Sequence, residues 1–198
     1  MPFVFKRLAL LLSIAAAFAA DKPAFNPGPV SSFANKQTND KVTVAADPYM
    51  TGQKIKVAFG KVDPYQNGVL PVLVVIQNDS AAAIRLDHIR AVYNGPQGDR
   101  VDATPPGDVR YAKLTRPKTL PTPAGTVILK GKNPLNTWEI EGRAFAAQML
   151  APGNSASGFF YFETGLQRGA TIYLTGMSEA ATGKELVFFE VPLATDVK

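Results

Sequence analysis

The residues Val69-Leu70-Pro71-Val72-Leu73-Val74-Val75-Ile76 form an almost unbroken apolar run rich in β-branched side chains. It is bounded by Asn67-Gly68 on one side and Asn78-Asp79-Ser80 on the other. Such a run is far shorter than the ~20 residues of a spanning helix. Branching at Cβ stiffens χ1 and favours extended backbone. The segment therefore reads as a central core strand, and the rest of the chain has to supply its neighbours. Pro71 belongs near its start, because proline cannot donate to a sheet ladder.

Shorter segments supply those neighbours. Val42 and Val44 oppose Lys41 and Thr43, and Ile55, Val57 and Phe59 oppose Lys54, Lys56 and Ala58, so both segments are expected as half-buried strands. Between Ile84 and Tyr93 the apolar positions change parity after Leu86, and a β-bulge at Asp87-His88 restores the phase. Asn94-Gly95 through Gly98-Asp99 is turn chemistry, after which Arg100 to Thr104 returns as a short strand. Further strands are expected at Thr126 to Leu129, Ser157 to Glu163, Ala170 to Thr175 and Glu185 to Leu193. In the third of these, Ile172 and Leu174 oppose Thr171, Tyr173 and Thr175. Only Asn136 to Leu150 carries a helical period, with Trp138, Phe145 and Met149 on one face, an i, i+4 pair of Glu139 and Arg143, and a stop at Pro152-Gly153. Many short strands and one helix, without strand–helix alternation, predict an all-β fold: an antiparallel β-sandwich with one inserted α-helix.

Residues 1–19 read as a secretory signal peptide, with Lys6 and Arg7 ahead of an apolar run and Ala17-Phe18-Ala19 as the cleavage motif. Residues 20–40, rich in Pro, Gly, Ser, Asn and Asp, are expected to form a flexible leader, leaving 41–198 as the folded domain. Export permits disulfides, yet the chain has no cysteine, so packing alone must hold the fold. The same absence excludes thiolate zinc sites, iron–sulfur clusters and a cysteine nucleophile. Cleavage removes Lys6 and Arg7 and lowers the formal net charge from +5 to +3. The excess is concentrated between Gly107 and Lys132, where Arg110, Lys113, Arg116, Lys118, Lys130 and Lys132 face only Asp108.

The succession of VLPVLVVIQNDS, IRLDHIRAVYNGPQGDR and LAPGNSASGFFYFE followed by a final hairpin resembles bacterial extracytoplasmic immunoglobulin-like domains over roughly residues 41–193. Pro152-Gly153 ahead of Gly158-Phe159-Phe160-Tyr161-Phe162 is the most specific part of the likeness. The resemblance implies a binding or assembly module and transfers no functional residue. It departs from antibody-type domains in lacking the cysteine pair and in placing Trp138 in the helical insertion.

Motifs for chemistry fall short. Gly153-Asn154-Ser155-Ala156-Ser157-Gly158 misses the nucleophile-elbow spacing by one position. His88 beside Asp87 lacks a signalled nucleophile, and neighbours on a regular strand point to opposite faces. No catalytic residue, metal site or cofactor is therefore expected. Two surfaces stand out instead. Arg110, Tyr111, Lys113, Arg116 and Lys118 lie in a proline-bearing loop whose charges suit an anionic envelope polymer or an acidic protein face. Phe160, Phe162, Leu186 and Phe188 belong to strands with large apolar groups on both faces, so one set must be covered or serve as a partner surface. The helix carrying Trp138, Phe145 and Met149 is the expected cover. The resulting expectation is a non-enzymatic, periplasmic or extracellular binding module, without nucleic acid as partner and without a membrane span after cleavage. The alternatives are a hydrolase using His88, or a carrier of a small ligand or metal.

Overall fold

In the computed structural model, which describes residues 25–112, 119–122, 125–128 and 133–193 with backbone alone for the two short pieces, the apolar run lies in the middle strand of a sheet. The strands in chain order are β1 (Lys36–Asn39), β2 (Val42–Pro48), β3 (Leu70–Asn78), β4 (Ile84–Arg85), β5 (Arg90–Asn94), β6 (Arg100–Asp102), β7 (Thr119–Thr122), β8 (Gly125–Ile128), β9 (Met149–Leu150), β10 (Ser155–Phe162), β11 (Thr171–Thr175), β12 (Ser178–Glu179) and β13 (Phe189–Pro192). Two helices, α1 (Gly52–Phe59) and α2 (Trp138–Gly142), accompany them. All named strand pairs are antiparallel. The large sheets run β1-β2-β3-β10 and β13-β11-β5-β6, beside a small β12-β4-β9 sheet and the β7-β8 hairpin. The fold is all-β, as expected. Among the described residues no helix is long and apolar enough to cross a membrane.

The two large sheets share one core. Val42, Val44, Leu70, Val72, Val74, Ile76 and Phe162 meet Ala91, Tyr93, Ile172, Leu174, Phe189 and Val191 from the opposite sheet. The alternate residues of the first sheet, Ala45, Leu73, Val75, Phe159 and Tyr161, point the other way into a second core. That core is roofed by Ile55, Ala58 and Phe59 of α1, by Ile140 of α2, and by Val109 and Leu135. Strand β3, and β10 from Gly158 onward, are thus buried on both faces, which explains their nearly continuous apolar sequence there. Each fully buried Leu, Val or Phe contributes roughly 1.5–3 kcal/mol.

Several expectations are corrected. Lys54 to Phe59 is helix α1, not a strand: Thr51 caps it by accepting from the Lys54 N–H at 3.4 Å, and Gly60 ends it at φ 65°. Ile55, Ala58 and Phe59 share its buried face at i, i+3 and i+4 while Val57 is exposed, so the apparent alternation was half of a helical period. The parity change after Leu86 is real, but a turn makes it rather than a bulge, with the Ile89 N–H donating to the Leu86 carbonyl at 3.1 Å. The turn sends β4 and β5 to different sheets.

The expected helix from Asn136 to Leu150 is helical only over Trp138–Gly142. Beyond it the free edge of β10 captures the chain: the Phe159 N–H donates to the Arg143 carbonyl at 2.9 Å, and the Phe145 N–H to the Phe159 carbonyl at 3.0 Å. Residues 25–40, expected as a flexible leader, contribute β1 and the ring of Phe25, which lies 5.5 Å from that of Phe159. Side-chain bonds close this flank of the sandwich: Asn39 Nδ2 donates to the Phe188 carbonyl at 2.9 Å, and the Glu190 N–H donates to Gln37 Oε1 at 2.6 Å. The signal segment at 1–19 lies outside the described residues.

Candidate functional site

The β1-β2-β3-β10 sheet is covered on its outer side, and among the described residues no element covers the outer side of the β13-β11-β5-β6 sheet. Because side chains alternate along a strand, burying Ala91, Tyr93, Ile172, Leu174, Phe189 and Val191 inward turns Arg90, Val92, Asn94, Thr171, Tyr173, Thr175 and Glu190 outward. Register sets them in rows. Glu190, Tyr173, Val92 and Asp102 lie side by side across the four strands, and Thr171, Asn94 and Arg100 form the adjacent row. Phe188 lies beside this grid, its ring 4.9 Å from Tyr173 and tilted by 35°.

Together Asn94, Gly98, Asp99, Arg100, Tyr173, Phe188 and Glu190 line an open hollow of about 380 Å³. Its two carboxylates are held by neighbouring side chains. Thr171 Oγ1 donates to Glu190 Oε1 at 3.0 Å, and Gln167 Nε2 donates to Asp99 Oδ2 at 3.2 Å. Asn94 Oδ1 is buried and has no hydrogen-bond partner among the described residues.

The four residues expected as one partner surface do not form one. Phe162 is fully buried between the sheets, and Phe160 is half-buried, stacked on Phe145 at 5.4 Å. Leu186 is half-buried against the same core. Only Phe188 is exposed, at 44%. The outward rings of β10 are Phe159 and Tyr161, and α1 with Phe25 covers them. The Tyr161 hydroxyl donates to the Ile140 carbonyl at 2.7 Å, and burial holds its pKa well above the ordinary value while Arg143 pulls the other way. Tyr49, on the same core, is pushed up to about 12 by burial and by the Asp47 charge. Trp138 is 59% exposed and Met149 lies on the surface, so of the expected cover only Phe145 packs on β10.

Within the basic loop, Tyr111 is 71% exposed and the Arg110 guanidinium lies 5.2 Å from its ring centre. Asn133 Nδ2 donates to the Arg110 carbonyl and so ties together the two ends of the 113–132 segment. Lys113, Arg116 and Lys118 lie outside the described residues.

His88 borders an open groove of about 510 Å³ with Asp87, Arg90, Thr175 and Glu185, and its side chain is 77% exposed. Its Nε2 stands 3.7 Å from Asp87 Oδ2, but the same oxygen accepts from Arg85 at 2.7 Å. That bond holds the Asp87 carboxyl below the usual carboxylate range. The carboxylate that would orient the imidazole is engaged elsewhere.

Sequence reasoning missed Asn94, Arg100, Tyr173 and Glu190 as a group. A signal existed in Tyr173, a ring on the polar side of a one-sided strand. The hollow itself is made by register across four strands, which no local pattern reveals.

No family model and no curated protein matches the chain. Among solved structures it is similar to the yjhA protein from Bacillus subtilis, with a TM-score of 0.40 and 8% identity over 82% of this chain and 98% of that one. A DUF4426 family protein from Pseudomonas aeruginosa aligns with a TM-score of 0.32 and 8% identity, covering 79% of this chain and 92% of that one. A secreted protein from Mycobacterium tuberculosis aligns with a TM-score of 0.31 and 12% identity, covering 82% and 95% respectively. Likeness at this level carries no argument about function.

Proposed function

We propose that this chain is an exported, non-catalytic β-sandwich of immunoglobulin-like type that serves as a binding or assembly module of the bacterial cell envelope, with its partner docking on the face around Tyr173 and Phe188. One observation carries the reading. The outer side of one sheet is roofed by helices and an N-terminal ring, whereas the other leaves Phe188 and a structured polar hollow in solvent. The signal-peptide pattern at residues 1–19 supports an envelope location. The basic segment from Arg110 to Lys132 is a second contact zone for an anionic envelope polymer or an acidic protein face.

Binding to purified envelope fractions tests both surfaces. Phe188→Glu is expected to weaken capture at least tenfold at every salt concentration, because it puts a charge into the apolar part of the face. Neutralising Arg110, Lys113, Arg116 and Lys118 together is expected to remove only the salt-sensitive part. Capture unchanged by Phe188→Glu would overturn the assignment of the face. The groove at His88 favours a hydrolase as the second reading. That reading requires His88→Ala to abolish turnover of an ester or amide substrate, and absence of turnover by the parent protein removes it.

A further inference from the structure

We infer that the hollow on the β13-β11-β5-β6 face is a saccharide site that takes uncharged sugar units of an envelope glycan. The inference rests on the binding-module reading above and names the ligand class of that same face. A sugar ring has two kinds of surface: a patch of C–H bonds that lies well on an aromatic face, and an equatorial belt of hydroxyls that donate and accept at once. The hollow offers the complement of both. Tyr173 and Phe188 provide adjoining rings, 4.9 Å apart, with Val92 opposite Tyr173 on the neighbouring strand. Around them stand the Arg100 guanidinium and the Asp99 and Glu190 carboxylates, planar groups able to engage two neighbouring hydroxyls each, with Asn94 beside them.

Three further observations bear on the assignment. Asn94 Oδ1 is buried without a hydrogen-bond partner among the described residues, a state that costs about 1–3 kcal/mol and that the fold tolerates on this face. Asp99 and Glu190 are fixed by Gln167 and Thr171, so their oxygens are placed before any ligand arrives. Finally, among the described residues Arg100 is the one cation of the lining against two carboxylates, so this lining is formally −1 and disfavours a polyanion. The basic segment and this face therefore call for different chemistry. The volume of about 380 Å³ falls within the ~300–1,000 Å³ of small-ligand sites.

The test titrates the full chain with chitotetraose, cellotetraose and maltotetraose, and separately with dextran sulfate, following backbone amide shifts by NMR. At least one neutral tetrasaccharide is expected to shift residues 94, 99, 100, 173, 188 and 190 and no other coherent patch. Phe188→Ser and Tyr173→Ala are expected to weaken that binding at least tenfold with a thermal midpoint close to that of the parent. Arg100→Met keeps both rings and is expected to weaken it as well, so loss of fold and loss of binding stay separable. No shift with any neutral saccharide, shifts with dextran sulfate alone, or concentration-dependent shifts without ligand that report a second copy on the face would each overturn the inference. If envelope capture is lost in Phe188→Glu while no saccharide binds, the saccharide assignment falls and the module reading stands. If envelope capture ignores Phe188→Glu, the module reading falls with it.

Discussion

Asn78 is buried completely at the end of β3, and its side chain makes four hydrogen bonds. Its Nδ2 donates to the carbonyls of Ala82 at 2.8 Å and Leu150 at 3.1 Å, and its Oδ1 accepts from Ser80 N at 3.1 Å and Ser80 Oγ at 2.6 Å. One amide thus joins the 78–82 turn to β9. At about 1 kcal/mol net per hydrogen bond, Asn78→Ala should lose about 3–4 kcal/mol. Asn78→Asp tests the donor arithmetic more sharply, because it keeps the shape and the accepting oxygen but turns a carboxylate oxygen toward two carbonyls. Its pKa in the fold must then lie above the ordinary ~3.9, since the protonated form alone can donate. A raised folded-state pKa means that the folded protein holds the proton more tightly. The deficit relative to the parent is therefore smallest below pH ~4 and grows as pH rises to the folded-state pKa. Urea unfolding followed by circular dichroism at pH 7 and pH 4 measures it. With a slope of ~2 kcal/mol/M, a loss of 3 kcal/mol moves the midpoint by ~1.5 M. A pH 7 midpoint for Asn78→Asp equal to that of the parent would refute the reasoning.

Other consequences are equally specific. A Cβ on Gly176 would sit 2.0 Å from the His88 carbonyl oxygen at a φ of 80°, so Gly176→Ala should lose several kcal/mol, roughly 3 or more, read as a drop in thermal midpoint. Gly158→Ala places a Cβ 2.3 Å from Phe145 Cα and should detach the 143–145 segment from β10, seen as faster amide exchange at Phe145 and Phe159. Tyr49 titrates at about 12 in the fold against ~10 unfolded, so its contribution is complete below pH ~10 and is lost as pH rises toward 12. Ultraviolet titration should show its phenolate forming late, and Tyr49→Phe should flatten the alkaline loss of stability; a midpoint near 10 for every tyrosine speaks against both.

The strands that carry strict alternation or unbroken apolar runs were legible. Val69–Ile76 is β3 within two residues at its far end, and Ile172 and Leu174 face the core as the one-sided pattern required. Lys54–Phe59 failed because Ile55, Val57 and Phe59 satisfy a period of two while Ile55, Ala58 and Phe59 satisfy 3.6. The Thr51 cap and Gly60 stop decided between them. Asn136–Leu150 failed through a tertiary effect, since the unpaired edge of β10 offers the chain better hydrogen bonds than a helix broken by Gly142. Which face of β10 turns outward stayed open for a related reason. The sequence shows large rings at every position from Phe159 to Phe162, and only the position of α1 decides which pair it roofs. Val187 and Phe188 lie within the strand expected from Glu185 to Leu193, and both are exposed because the strand begins at Phe189.

The double burial of β3 and β10 also governs what a mutation on each sheet can mean. A chain without disulfides draws its stability from packed apolar area, and here one sheet takes part in two cores while the other takes part in one. An outward side chain of the first sheet, such as Leu73 or Phe159, belongs to the second core, and truncating it opens a cavity at a cost of about 2–5 kcal/mol. An outward side chain of the second sheet, such as Tyr173, is half-buried with the exposed Phe188 ring beside it and belongs to neither core, so its removal stays near 1 kcal/mol. Stability and binding are therefore coupled on the roofed sheet and separable on the open one. A set of variants at 173, 188 and 100 that keeps the thermal midpoint yet loses its ligand identifies a surface maintained for contact, whereas a proportional loss of both would mean that this face, too, serves only the fold.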